Sequence, residues 1–156
     1  MVEFNLIMGT IGDLDLLVAH RLLMWKDIHP ELASEIDESR AVTKNWIQSK
    51  ILEGSLVSFI VKTTEGSIAG SGCILVKEDQ PRPGSKQLKF PYLMSMYTAP
   101  EFRRKGVASL IVTEAIRWSR QNNYDRISLH ASKEGVQLYK KFGFIQTNEM
   151  RLKLDD

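Results

Sequence analysis

The sequence predicts a mixed α/β (α+β) fold, in which a mostly antiparallel central sheet carries one parallel strand pair and is flanked by helices. Residues 56–62 and 68–76 are strand-like runs joined by Thr64-Glu65-Gly66, which reads as an antiparallel hairpin. Residues 92–98, 106–121 and 125–131 read as strand, helix and strand, and so short a crossover implies a right-handed βαβ unit with a parallel pair. Ahead of the hairpin, two helical patterns form a block of their own.

Each element has its own signal. Residues 2–8 mix β-branched, aromatic and aliphatic side chains and stop at Gly9, as a first strand does. Asp13 is placed to cap a helix whose apolar positions Leu14, Leu17, Val18, Leu22 and Trp25 recur at helical spacing. Residues 27–34 are irregular around Pro30, and a second helix is expected over residues 38–52, closed by Gly54. Pro81, Pro83, Gly84 and Pro91 make residues 77–91 read as an exposed loop, and Pro100 ends the strand at 92–98. The helix over residues 106–121 turns Val107, Leu110, Ile111, Ala115 and Trp118 to one side and Thr113, Arg117 and Arg120 outward. Residues 133–142 form a short helix stopped by Gly143, and residues 145–154 are expected to supply one or two closing strands.

At 156 residues, 43% hydrophobic and 26% charged, the chain fits one domain, residues 1–156, with a full-sized core. Its 21 Lys and Arg against 19 Asp and Glu leave a net charge of only +2, with the cations spread along the chain. No nucleic-acid footprint is visible, and any anion site must be local. Glu3 and Asn5 interrupt the first residues where a secretory leader needs an apolar core, and no run of residues suits a membrane, so a cytoplasmic protein is expected. Cys73, the single cysteine, lies in the apolar run Cys73-Ile74-Leu75-Val76 with no cation beside it to lower its pKa, which reads as a buried thiol. His20 and His29 have no metal-ligand spacing to other donors, and no metal is expected.

The stretch PEFRRKGVASLI, residues 100–111, sets three cations and a glycine at a strand-to-helix corner. There the first N–H groups of the helix lack partners inside it, and the helix dipole adds about half a positive charge. Phosphate is a natural guest: Gly106 lets backbone approach a bulky ligand, Ala108 keeps the next turn small, and Arg103, Arg104 and Lys105 add charge. No Gly-Lys-Ser/Thr follows, so a Walker A loop is excluded, and Gly70-Ser71-Gly72 does not make a dinucleotide fingerprint.

The run Tyr97-Thr98-Ala99-Pro100-Glu101-Phe102-Arg103-Arg104-Lys105-Gly106-Val107-Ala108 resembles the acetyl-CoA signature, Arg/Gln-x-x-Gly-x-Gly/Ala, of the GNAT superfamily of N-acetyltransferases. Further on, Leu138-Tyr139-Lys140-Lys141-Phe142-Gly143-Phe144 resembles that family's second signature, a short helix carrying a tyrosine and ending in Gly-Phe. The resemblance implies the GNAT acyl-CoA acyltransferase fold, in which the strand at 92–98 bulges and splays from the strand at 125–131. It implies acetyl-CoA as acyl donor and a primary amine of a small molecule or polypeptide as acceptor, joined by direct attack in a ternary complex. Neither nucleic acid nor membrane is an implied partner, and a homodimer is an assembly the family often uses.

Roles follow from the same resemblance. Backbone from Arg103 through Arg104, Lys105, Gly106, Val107 and Ala108 to Ser109 would hold the pyrophosphate, and the main chain of Met96 and Thr98 would pair with the pantetheine arm. Tyr139 would be the general acid at the departing thiolate, and the N–H of Met96 would hold the oxyanion. Ser132 stands where many relatives carry a pantetheine-binding asparagine, although serine is shorter. Many relatives place a glutamate base on the strand before the loop, whereas Met94, Ser95 and Met96 carry no titratable group. His130 is then the candidate base, by its near-neutral pKa. Glu35 and Asp37, near the helix-loop-helix that usually walls the acceptor, would recognise a cationic substrate. A missing strand glutamate also leaves room for an acyl-CoA-binding sensor with little or no catalysis.

Overall fold

The structure, a computed structural model, describes residues 1–85 and 87–154. Strands β1 (Phe4–Met8), β2 (Leu56–Thr63), β3 (Ile68–Glu78), β4 (Lys89–Thr98) and β5 (Ser128–Leu129) form one sheet in sequence order. The first four are antiparallel neighbours, while β5 runs parallel to β4 through Tyr92 with Ser128 and Leu93 with Leu129. Helices α1 (Leu14–Ile28), α2 (Ala33–Glu38) and α3 (Arg40–Leu52) precede the hairpin, α4 (Val107–Gln121) joins β4 to β5, and α5 (Val136–Lys141) follows.

Alternation along the strands sorts the core into two layers. On one face Phe59, Val61, Ala69, Ile74 and Leu93 pack against Val107, Ile111, Val112 and Ala115 of α4. On the other, Leu56 and Cys73 pack against Leu14, Leu17, Val18 and Leu22 of α1 and Ile47 of α3. Burying each such aliphatic or aromatic side chain contributes about 1.5–3 kcal/mol, so the sheet is held from both sides.

Several expectations need correction. Asp13 makes no cap to α1; its carboxylate instead accepts the N–H of Thr10 at 2.8 Å, closing a capping box around the turn Ile11–Asp13. Trp25 lies at the edge of α1 and is exposed. The second helix starts at Arg40, because Ser39 donates its hydroxyl to the Ile36 carbonyl at 2.6 Å and closes the separate α2. Residues 77–91 are less of a loop than their prolines suggest, since β3 continues to Glu78 and β4 begins at Lys89. Pro91 is tolerated there, buried opposite Val76, because pairing with β5 begins only at Tyr92. Residue 86 of that loop lies outside the described residues.

The core stripe of α4 includes Val112, and Leu110 faces outward. The strand expected at 125–131 is two residues long. Residues 145–154 form no strand, although Met150, Leu152 and Leu154 alternate with Glu149, Arg151 and Lys153, and those three apolar side chains are exposed. A strand needs an edge to pair with, and the β5 ladder offers only two residues.

Gly70 and Gly72 explain how α4 sits so near the sheet. A Cβ on Gly70 would lie 2.5 Å from the Tyr97 carbonyl and 2.9 Å from Val107, and one on Gly72 would lie 2.6 Å from the Met96 sulfur and 2.7 Å from Ile111. We predict that Gly72→Ala destabilises the protein by about 1–3 kcal/mol, the range for overpacking a tight core. Denaturant midpoints check this, and an unchanged midpoint would show that Met96 and Ile111 can yield.

Candidate active site

The site begins with a defect in the β3–β4 ladder. Ser71 pairs with Tyr97 and Cys73 with Met94, so Ser95 and Met96 together oppose the single residue Gly72. This is a β-bulge, and Ser95 takes the left-handed conformation at φ 56°. For a non-glycine residue that conformation costs of order 1–2 kcal/mol, so the surroundings must hold it. Two contacts do so: the Met96 side chain fills the space that Gly72 leaves, and Arg21 Nη1 donates to Ser95 Oγ at 2.8 Å.

Beyond the bulge β4 and β5 part. Their ladder ends at Leu93 and Leu129, so from Met94 to Thr98 the β5-facing edge of β4 has no strand partner among the described residues. The chain then turns through Pro100–Phe102 into a corner where Arg104 (φ 61°) and Gly106 (φ 88°) are both left-handed. Successive left-handed turns aim backbone N–H groups into a shared concavity. The N–H groups from Arg104 to Ser109 have no backbone or side-chain acceptor among the described residues, and above Gly106 a Cβ would meet nothing within 4 Å.

The three cations of this corner do not act alike. Arg103 folds back, donating through Nε to the Thr98 carbonyl at 3.0 Å and through Nη2 to Asp27 of α1 at 2.6 Å. Arg104 and Lys105 are exposed and make no ion pair among the described residues.

Tyr139 on α5 is buried against the α4 layer, edge-on to Phe144 at 5.8 Å. Burial pushes its phenol pKa up, which keeps it a proton donor at neutral pH. The hydroxyl has no hydrogen-bond partner among the described residues and is not among the fully enclosed polar atoms, so it opens to solvent. Ser132 spends its hydroxyl locally, accepting the Gly135 N–H at 3.2 Å where α5 begins. His130 follows the last paired residue of β5, its ring 5.5 Å from Tyr92 and Nε2 3.3 Å from the Glu149 carboxylate.

Helix α1 closes the other side. Asp37 is paired with Lys26 at 2.6 Å, and Glu35 is exposed on α2 without an ion pair among the described residues. Inside, His20 Nδ1 is hydrogen-bonded to Ser71 Oγ at 2.7 Å, and its ring packs 4.7 Å from Tyr97. Burial holds the His20 pKa below its ordinary value, so the ring is neutral. Cys73 is buried, its thiol pushed up to about 12 by desolvation and hence uncharged.

A strand pair that opens, a bulge at the opening and a corner of unsatisfied N–H groups define the candidate site. The model of the acetyltransferase (GNAT) family matches residues 22–144. The chain belongs to the GNAT acetyltransferase family. A GCN5-related N-acetyltransferase from Ralstonia eutropha is similar at 22% identity, TM-score 0.90, over 97% of this chain and 99% of that one. A predicted acetyltransferase from Clostridium acetobutylicum, solved with acetyl-CoA, is 26% identical at TM-score 0.83, over 98% and 96%. Glucosamine-6-phosphate N-acetyltransferase from Arabidopsis thaliana shares the fold at 17% identity and TM-score 0.66, over 99% of each chain. No curated protein matches.

Within this GNAT acetyltransferase, sequence reasoning passed over Arg21, His20 and Gly72. Arg21 had a readable signal: it falls four residues after Leu17 and three after Val18, inside the apolar stripe of α1. The depressed His20 pKa also has a consequence for stability. In the unfolded chain His20 takes up a proton near pH ~6.5, while in the folded chain it stays neutral to lower pH. Stability from this residue is therefore present above that pH and lost as pH falls through the folded value. We predict that the denaturation midpoint of the wild type drops more between pH 7.5 and pH 5.5 than that of His20→Asn, by about a pH-unit equivalent or less of 1.4 kcal/mol. Parallel declines would remove His20 as the cause.

Proposed function

We propose that this GNAT acetyltransferase transfers acetyl from acetyl-CoA to the nitrogen of a primary amine, within one catalytic domain spanning residues 1–156. The observation that carries this reading is the run of unpartnered N–H groups from Arg104 to Ser109 beside the unpaired edge of β4. Six such donors at a helix start suit a pyrophosphate, and the β4 edge at Met96 and Thr98, where the Thr98 carbonyl already accepts Arg103 Nε, suits an extended amide-bearing arm. Arg104 and Lys105 add positive charge at the corner, while Arg103 braces it from behind. Val107 and Ala108 contribute through their backbone, and Ser132 does so by fixing the start of α5.

Bound acetyl-CoA supplies an activated acyl carbon whose leaving group is a thiolate. The Met96 N–H, at the bulge, stabilises the negative charge that grows on the acyl oxygen. Tyr139 gives its phenolic proton to the thiolate, consistent with a hydroxyl that faces solvent and a pKa raised by burial. As the new C–N bond forms, His130 accepts the proton leaving the amine, through water, with Glu149 steadying the ring at 3.3 Å. With no carboxylate among Met94, Ser95 and Met96, an amine of low pKa, nearer ~8 than ~10.4, fits the site best.

The test is calorimetric titration with acetyl-CoA and coenzyme A, followed by thiol release against a panel of amines and peptides. Saturable binding with amine-dependent release is expected; binding with no release for any acceptor would favour a sensor, and no binding would sink both. Tyr139→Phe should lower turnover by about 10²-fold or more with little change in acetyl-CoA affinity, the range for losing a general acid. An unchanged rate removes that role. Gly106→Val should weaken coenzyme A binding by about tenfold or more, because a β-branched residue resists a positive φ and crowds the corner. Normal binding would contradict the pyrophosphate assignment.

A further inference from the structure

Arg21 stands out once the charges of the α1 wall are paired off. Asp15 meets Lys44 at 2.8 Å, Asp27 meets Arg103 at 2.6 Å, Asp37 meets Lys26 at 2.6 Å and Glu31 meets His29 at 3.1 Å. No carboxylate among the described residues forms an ion pair with Arg21, a half-buried side chain. Its neighbours are uncharged: Ser95, the indole of Trp25 at 5.7 Å and the protonated thiol of Cys73.

A guanidinium has five N–H donors, and among the described residues one is used, on Ser95 Oγ at 2.8 Å. A partly desolvated cation without a counter-charge is costly to keep, and an arriving anion would remove that cost. The direction is also set. Arg21 reaches Ser95, the residue before Met96, whose N–H the transferase reading assigns to the acyl oxygen.

We propose that Arg21 binds a carboxylate on the acceptor, making the acceptor an amino-acid-like small molecule whose amine and carboxylate lie within a few bonds of each other. This rests on the transferase reading above. A carboxylate suits the site better than a phosphate, because one planar fork matches two oxygens and one unit of charge. Of the two acids expected to meet a cationic substrate, Asp37 is already paired with Lys26, and Glu35 is exposed. Stacking on Trp25 fixes the plane of the fork, and the hydrogen bond to Ser95 fixes its reach. Arg21 is thus a specificity-determining residue placed at the bulge.

The experiment titrates the protein, saturated with coenzyme A, with each standard L-amino acid and with its carboxamide, by calorimetry, for the wild type, Arg21→Met and Arg21→Lys. At least one amino acid should bind about ten- to a hundredfold more tightly than its carboxamide, as expected for a lost charge-assisted pair. Arg21→Met should erase that preference and Arg21→Lys should keep part of it, with coenzyme A affinity measured for each variant to show whether the bulge that Arg21 helps to hold is intact. In the wild type the same amino acid should slow phenylglyoxal modification of Arg21, read by mass spectrometry. Equal binding of acid and carboxamide, no binding of any acid, or a preference that survives Arg21→Met overturns the proposal. Thiol release in the same panel judges the transferase separately: release with uncharged amines alone overturns only the carboxylate, and failure to bind coenzyme A overturns both.

Discussion

The site depends on one mismatch, two residues of β4 set against one glycine of β3. Because Ser95 and Met96 share the place opposite Gly72, β4 bends where it would otherwise run flat against its neighbours. Met96 is turned into the α4 core and Ser95 toward α1, so each helical layer grips one side of the bulge. The strand cannot relax without disturbing both layers. Its separation from β5 begins one residue past the last paired position, at Met94, which is why the opening and the bulge occur together.

In the proposed site backbone would do most of the recognising, and side chains hold that backbone in place. The corner from Arg104 to Gly106 is built from two left-handed residues and a brace, Arg103, that is tied to Thr98 and Asp27. Such a corner is insensitive to which cations decorate it and sensitive to φ, since unpartnered N–H groups are what it offers. Tyr139 differs, because its ring is structural while its hydroxyl is left free for the proposed chemistry. A buried ring packs α5 against the α4 layer, and the phenol oxygen is not fully enclosed.

Much of the fold was legible because hydrophobic period and turn residues agree over β2, β3, α1 and α4. Where legibility failed, a long-range partner decided the outcome. Residues 145–154 carry the alternation of a strand, but alternation says nothing about whether an edge is available. Pro91 looked like a loop residue because its tolerance depends on where a different strand starts pairing. Within the site, the glycine corner and Tyr139 could be named from local motifs. Arg21 could not, since its meaning comes from Ser95, which is remote in sequence, and from acids that are occupied elsewhere. Asp37 shows the same limit: in sequence it stands between Glu35 and Glu38, and its partner Lys26 appears only in space.

The contact between Arg103 and Asp27 joins the corner after β4 to the helix that carries Arg21. Both side chains are about half exposed, so the pair contributes at most about 1 kcal/mol and is screened by ions. It ties the loop after β4 to the last turn of α1 while adding little to the stability of either. Rising ionic strength weakens that tie well before it touches the apolar layers that hold the sheet, so the corner loses a brace while the fold stays intact.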